Sequence, residues 1–254
     1  MKVLHLRTGC RLHFGLMELA AGEPLRFAGL GLMLDQPNFQ LAFSEANSLI
    51  SRVEQCDLPT AATERVSANA TEAYNAEYEG RIWAAIRQRQ TLVTDSEKDA
   101  TACHVGLVST LPLHSGLGAG TQLAASVAAG LELFTRAQPR MSRLPTADSL
   151  QPAIWQSILD SQPTLSAQWL SQYADRGLRS AVGLVGFLRG GLILDEGYTD
   201  DYASDAVATP IGRPMTARSM QLAGQWRVVL TVPQQRAEVS GAKEAEVMAE
   251  LGSL

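Results

Sequence analysis

The alternation of apolar and polar positions predicts where the strands and helices of this chain lie. Extended segments rich in β-branched and apolar residues are expected at 3–19, 30–34, 39–43, 49–53 and 102–109. A hairpin is expected from 180–188 and 191–194, and a further strand at 226–232. Because these strands come in pairs with helices inserted between them, the pattern favours an α+β fold over strict β–α–β alternation.

A different period marks the helices. After Pro59, apolar residues recur every four positions through Tyr74, Tyr78 and Ile82, which predicts an amphipathic helix over 61–89. A buried, alanine-rich helix is expected from about residue 120. Shorter helices are expected at 152–159, 165–174 and 240–251.

Composition narrows the class of protein. The 254 residues are 46% hydrophobic and 19% charged, with a formal net charge of −5, which argues against a disordered chain and against an electrostatically driven nucleic-acid binder. The three scattered cysteines favour a reducing, cytoplasmic setting without a disulfide framework. The uncharged stretch 100–131 is interrupted by Pro112 and several glycines, so no membrane span is expected.

The strongest chemical signal is a glycine-rich segment between a predicted strand and a predicted helix. Alternate glycines let successive backbone N–H groups turn inward, and the following helix offers its unpaired first-turn N–H groups and the positive end of its dipole. This arrangement suits a phosphate or diphosphate, although a plain turn would have a similar composition. The candidate binding residues are Gly116, Leu117, Gly118, Ala119, Gly120, Thr121 and Gln122.

Two further segments carry candidate chemistry. Arg11 and His13 are two positions apart on a predicted strand, so they share one face and can flank an anionic substrate, or they simply lie on an exposed face. Arg179 and Ser180 follow a glycine-marked helix end, where they can reach a ligand or serve the helix end itself.

Together and in this order, the segments resemble the β-ribofuranosylaminobenzene 5′-phosphate synthase branch of the GHMP kinase superfamily. The matching motifs are Arg-Leu-His-Phe-Gly-Leu at 11–16, the strand 29–37, Gly-Leu-Gly-x-Gly-Thr-Gln at 116–122, and the segment 176–191. The resemblance implies an N-terminal domain like domain 2 of ribosomal protein S5, expected at 1–205. It also implies a ferredoxin-like second domain, of which 206–254 would be an incomplete start.

The activity that this resemblance implies is a decarboxylating ribosyl transfer in methanopterin biosynthesis. Phosphoribosyl diphosphate would react with 4-aminobenzoate or 4-hydroxybenzoate, with release of CO2 and diphosphate, in a cytoplasmic homodimer. Arg11, His13, Arg179 and Ser180 would be catalytic, and the glycine-rich loop would bind a phosphate group. Mg2+ is the expected cofactor, with no organic cofactor, and Asp35 or Asp195 would support the metal or the ribose hydroxyls.

Some positions depart from the family pattern and leave two alternatives. Asp175 stands where the branch usually has glycine, and the chain stops before the last glycine-rich segment of the superfamily. The first alternative is an ATP-dependent small-molecule kinase of the same superfamily, which needs the same loop. The second is a non-catalytic relative in which an apolar sheet face near Trp226 is exposed and favours oligomers.

Overall fold

The computed structural model is a mixed fold of helices and strands, which confirms the α+β class at that level. It describes residues 3–17, 25–26, 28–46, 50–53, 68–94, 102–136, 165–177, 180–199 and 216–231. The strands are β1 (Val3–Met17), β2 (Leu25–Arg26), β3 (Ala28–Glu45), β4 (Ile50–Val53), β5 (Cys103–Ser109), β6 (Leu192–Asp195), β7 (Tyr198–Thr199) and β8 (Ala217–Met220). The helices are α1 (Ala68–Leu92), α2 (Ala119–Arg136), α3 (Ala167–Ala174) and α4 (Val182–Arg189).

The sheet is organised around the long strand β3. Its order is β4-β5-β3-β6-β8, and β1 pairs antiparallel with β3 outside that path. Strands β5 and β6 both pair antiparallel with β3, β5 along Gln40–Glu45 and β6 along 29–32. The expected strands 30–34 and 39–43 are therefore parts of a single strand, because the intervening residues stay extended through a register irregularity.

Apolar side chains between the sheet and the helices form the core. Phe39, Leu41 and Phe43 of β3 are fully buried, as are Tyr78 and Ile82 of α1. The helix α2 is packed so tightly against the sheet that a methyl group built on Gly130 would overlap the ring of Phe43. The core therefore fixes the position of α2, and with it the loop that precedes this helix.

The prediction of a hairpin over 180–188 and 191–194 is wrong, because Val182–Arg189 is the helix α4. Every residue from Ala181 to Leu188 is buried, so the segment is apolar on all sides and carries no strand or helix period. Periodicity alone does not distinguish a buried strand from a short buried helix. The following strand β6 was correctly expected.

The expected strand at 226–232 is also absent from the described residues, in which 221–231 form no regular element. Trp226 is 65% exposed and Val229 is 93% exposed, so apolar side chains face solvent here, but they do not lie on the expected sheet face. The expected helices at 152–159 and 240–251 lie outside the described residues. Strand β8, which follows the expected domain boundary at 205, pairs with β6 of the main sheet, and the division into two domains stays a prediction.

None of the described helices combines the length and apolar character that crossing a membrane requires.

Candidate functional site

The glycine-rich segment forms the loop that leads into α2. Gly116 and Gly118 have φ values of +77° and +72°, in the left-handed region that favours glycine. The first hydrogen bond of the helix runs from Gln122 N to Gly118 O at 3.0 Å. The N–H groups of Ala119, Gly120 and Thr121 precede this bond, so helix geometry leaves them without intrahelical acceptors. The loop therefore presents backbone donors at the positive end of a helix dipole.

Arg11 places a guanidinium group against this loop. Its backbone N–H donates to Leu117 O at 2.9 Å, which binds β1 directly to the loop. A methyl group built on Gly118 would lie 3.0 Å from Arg11 Nε, and one built on Gly183 would lie 3.2 Å from Arg11 Nη1. The side chain thus lies between the start of α2 and the start of α4, where it adds positive charge to the helix terminus.

A register shift in β1 makes this placement possible. Thr8 reaches α2 through a hydrogen bond to Gln122, and Arg11, three positions later, also reaches the helix face. Residues three apart in a regular strand point to opposite faces. The pairing of β1 shifts between Thr8 and Cys10, from Phe39 to Leu34 of β3, and this irregularity reorients the following residues.

His13 and Ser180 meet next to Arg11, although they are 167 positions apart in the sequence. His13 Nε2 lies 3.2 Å from Ser180 Oγ, and Gly15 N donates to His13 Nδ1 at 3.2 Å. Because Nδ1 is an acceptor, the neutral ring carries its proton on Nε2 and donates it to Ser180. Val182 N also donates to Ser180 Oγ, at 3.3 Å. With two donors directed at its oxygen, the Ser180 hydroxyl is arranged to donate its own proton outward.

The electrostatics agree with a neutral His13. Burial lowers the pKa of His13 below its ordinary value, the charge of Arg11 lowers it further, and Asp195 acts in the opposite direction. A neutral imidazole with its proton on Nε2 is a hydrogen-bond donor to Ser180 rather than a base acting on it. The pair therefore orients a donor and does not form an activated nucleophile.

Asp195 is fully buried at the start of α4. Its Oδ2 accepts a 2.6 Å hydrogen bond from Ala181 N, and its Oδ1 accepts one of 3.1 Å from Gly197 N. The carboxylate complements the positive end of the α4 dipole and holds the turn that carries Ser180. Two of the hydrogen bonds to Asp195 therefore come from backbone donors.

Asp35 and Asp195, the two alternative residues expected to support a metal, lie far apart. Asp195 is opposite Gly29 on β3, and Asp35 is six residues further along that strand, or about 20 Å away. Asp35 is exposed, whereas Asp195 is fully buried. Within the described residues, no three His, Cys, Asp or Glu side chains are close enough to hold a metal ion. Because Mg2+ is often held by one or two carboxylates together with substrate phosphates and water, the expected Mg2+ stays a prediction.

Glu77, Arg81 and His114 form a polar cluster at the start of the glycine-rich loop that was not predicted from the sequence. His114, with φ +57°, places Nε2 at 2.9 Å from Glu77 Oε1, and Arg81 Nη2 lies 2.9 Å from the same oxygen. Burial would raise the pKa of Glu77, but hydrogen bonds from Arg81 and His114 outweigh it and hold that pKa below its ordinary value. The Glu-x-x-x-Arg spacing on α1 was the available signal. The cluster fixes the start of the loop to α1.

The structure brings together most of the predicted site residues. Arg11, His13 and Ser180 converge on the loop that contains Gly118. Gln122 is an exception, because its fully buried side chain faces Thr8 and Gly183 rather than the open side of the loop. Arg179 lies outside the described residues.

Comparison with known proteins finds three similar enzymes of one name. No protein-family model matches the chain. The β-ribofuranosylphenol 5′-phosphate synthase of Methanothermobacter thermautotrophicus is 23% identical over 250 residues, which are 97% of this chain and 63% of that enzyme. The synthase of the same name from Archaeoglobus fulgidus is 25% identical over 235 residues, or 91% of the chain and 58% of the enzyme. The chain is similar to these synthases over most of its length.

This similarity confirms the resemblance stated from the motifs. The chain spans about three-fifths of the length of the synthases that it matches. Among solved structures, the Streptococcus pneumoniae phosphomevalonate kinase matches 86% of the chain, and 57% of its own, with 10% identity and a TM-score of 0.44. A homoserine kinase from Cytophaga hutchinsonii matches 98% of the chain, and 64% of its own, with 13% identity and a TM-score of 0.40. Residue roles therefore rest on the geometry of the chain itself.

Proposed function

We propose that the chain carries the ribosyl-transfer site of a β-ribofuranosylphenol 5′-phosphate synthase. In this reaction phosphoribosyl diphosphate and a 4-substituted benzoate give an arene riboside 5′-phosphate, diphosphate and CO2. The observation that carries the proposal is the convergence of Arg11 and the His13–Ser180 pair on the open N-terminus of α2. The product in the relatives' name contains a phenol ring, which favours 4-hydroxybenzoate over 4-aminobenzoate as the acceptor.

The chemistry asks for stabilisation of a departing anion. The bond between the anomeric carbon and the diphosphate oxygen breaks, and its electron pair leaves with the diphosphate. Backbone N–H groups at a helix terminus and a guanidinium group are donors suited to that developing charge. Ala119, Gly120 and Thr121 would supply the N–H groups, and Arg11 would supply the guanidinium.

The remaining steps need no base from the protein. The ring carbon that bears the carboxylate bonds to the anomeric carbon. The bond to the carboxylate then breaks, CO2 leaves, and its electron pair restores the aromatic ring. No proton is removed from the ring, which agrees with a neutral His13 that orients the Ser180 donor. The protein would act mainly by placing the two reactants in contact.

In the test, the chain is incubated with carboxyl-labelled 4-hydroxybenzoate, phosphoribosyl diphosphate and the Mg2+ counterion of that substrate. The measured quantity is the release of labelled CO2. The proposal expects release from the wild-type chain and its loss in Arg11→Met and Gly118→Arg. Arg7→Met is the matched control, because Arg7 is an exposed arginine on the same strand. Absence of release from the wild type, while a full-length relative is active in parallel, would contradict the proposal.

A parallel arm separates the two alternatives. ATP with Mg2+ replaces phosphoribosyl diphosphate, and the thermal midpoint of the chain is measured with each nucleotide or sugar ligand. Protection by ATP without protection by phosphoribosyl diphosphate would favour the small-molecule kinase. Protection by phosphoribosyl diphosphate without CO2 release would favour the non-catalytic relative.

A further inference from the structure

Gln122 connects the three elements that supply the candidate site. Its Oε1 accepts a 2.9 Å hydrogen bond from Thr8 Oγ1 of β1, and its Nε2 donates a 2.9 Å hydrogen bond to Gly183 O of α4. Gln122 itself belongs to the first turn of α2. Of these elements, β1 carries Arg11, α2 begins at the end of the glycine-rich loop, and α4 follows Ser180.

Only one orientation of the Gln122 amide satisfies both partners. The carbonyl oxygen of Gly183 accepts hydrogen bonds and cannot donate, so it must face the amide NH2 group. The amide oxygen then faces Thr8, whose hydroxyl donates to it. Glutamate would place an anionic oxygen against the Gly183 carbonyl, and methionine would satisfy neither partner. The pattern is therefore specific to glutamine.

The space around these bonds leaves little room for movement. A methyl group built on Gly183 would lie 2.8 Å from Thr121 Cγ2 and 3.2 Å from Arg11 Nη1. A displacement of Gly183 by a few tenths of an ångström would therefore change the space that holds the Arg11 guanidinium. Gln122 has no exposed surface with which to touch a ligand, so any effect on the site passes through its partners.

We propose that Gln122 is a positioning residue that sets the separation of the α2 and α4 N-termini around Arg11 through its bonds to Thr8 and Gly183. The inference deepens the proposed function and rests on it in one respect, namely that the anion bound at this separation is the diphosphate of the sugar substrate. Thr8 has the same positioning role, because its hydroxyl donates the hydrogen bond that orients the Gln122 amide.

The test uses the Thr8 hydroxyl, which is buried behind Gln122 and so separates positioning from direct contact. The variants are Gln122→Met, Thr8→Val and Thr8→Ser, the last of which keeps the hydroxyl. The matched control is Gln88→Met, because Gln88 of α1 donates to Gln172 O at 3.0 Å and ties two helices together with a similar bond. Two quantities are measured: the Kd of inorganic diphosphate by calorimetry, and amide hydrogen exchange in peptides that cover 116–121 and 181–186.

Positioning predicts a specific pattern. Thr8→Val weakens diphosphate binding about fivefold, which corresponds to the free energy of one neutral hydrogen bond. Thr8→Ser keeps the hydroxyl and binds diphosphate within about twofold of the wild type. Exchange in 181–186 becomes faster in Thr8→Val and Gln122→Met. In Gln88→Met faster exchange is confined to peptides from α1 and α3, and the Kd stays within about twofold of the wild type.

Two results would overturn the inference. The first is loss of diphosphate binding in Gln122→Met with normal binding in Thr8→Val, because Gln122 would then contact the anion itself. The second is exchange in 181–186 that does not differ between Thr8→Val and the Gln88→Met control. The exchange measurement needs no ligand. If the wild-type chain binds no diphosphate, that result refutes the proposed function, and the exchange rates still test the positioning role of Gln122. If Gln122→Met does not fold, the Thr8 pair carries the test.

Discussion

Two glycines of the loop separate backbone strain from the placement of Arg11. Gly116 and Gly118 have nearly equal positive φ values, so an alanine at either position costs about 1–2 kcal/mol of folding free energy. Their surroundings differ, because a methyl group on Gly116 meets nothing within 4 Å, whereas one on Gly118 lies 3.0 Å from Arg11 Nε and 3.1 Å from Arg11 Cβ. Gly118→Ala therefore also displaces the guanidinium.

The difference between the two variants measures that displacement. A hydrogen bond to a charged group contributes about 1.5–3 kcal/mol, so loss of the Arg11 contact weakens diphosphate binding about 10- to 150-fold. Urea unfolding should show similar losses of about 1–2 kcal/mol for both variants, and calorimetry should show much weaker binding for Gly118→Ala than for Gly116→Ala. Equal losses of affinity in the two variants would refute the role assigned to Arg11.

Three further outcomes follow from buried charged and titratable groups. Burial lowers the pKa of His13 in the folded chain, so the unfolded chain takes up its proton first as the pH falls. The free energy of unfolding should therefore decrease as the pH drops below 6.5. Urea unfolding at several pH values should show a weaker pH dependence of this free energy in His13→Gln than in the wild type. Asp195→Ala removes the acceptor of two backbone N–H groups and should cost about 3 kcal/mol in chemical denaturation, with a smaller loss in Asp195→Asn, which keeps one oxygen. The buried ion pair between Arg89 and Glu132, at 3.1 Å, predicts a loss of about 3–5 kcal/mol in Arg89→Met, and the double variant with Glu132→Leu should recover most of it; no recovery would contradict the pair's assigned role.

The sequence allowed prediction of the groups that form the candidate site. Arg11 and His13 share one face because they are two positions apart on a strand, and the alternate glycines of 116–120 indicated an open helix terminus. These are local rules, and the structure obeys them. The same holds for α1 and α2, whose patterns are long enough to determine their type.

The features that escaped prediction depend on packing between distant segments. The helix α4 is buried on all sides, so its sequence contains no amphipathic signal, and its type is determined by packing against β3 and β6. The hydrogen bonds that Asp195 accepts from the N–H groups of Ala181 and Gly197 were not expected from the sequence, and its role near a metal or ribose hydroxyls stays a prediction. The inward orientation of Gln122 depends on Thr8 and Gly183, which no local pattern connects to it.

The contact between Thr8 and Gln122 also has a consequence for the order in which the chain acquires its parts. The two residues are 114 positions apart, and closing a loop of that length costs about 4 kcal/mol of chain entropy. One hydrogen bond returns about 1 kcal/mol, so the contact cannot form until the β1–β3 and β3–β5 ladders have already shortened the loop. Under the proposed function, anion binding would therefore emerge only at the end of folding. A titration with diphosphate during refolding would therefore measure the fraction of fully folded molecules and would not detect compact intermediates.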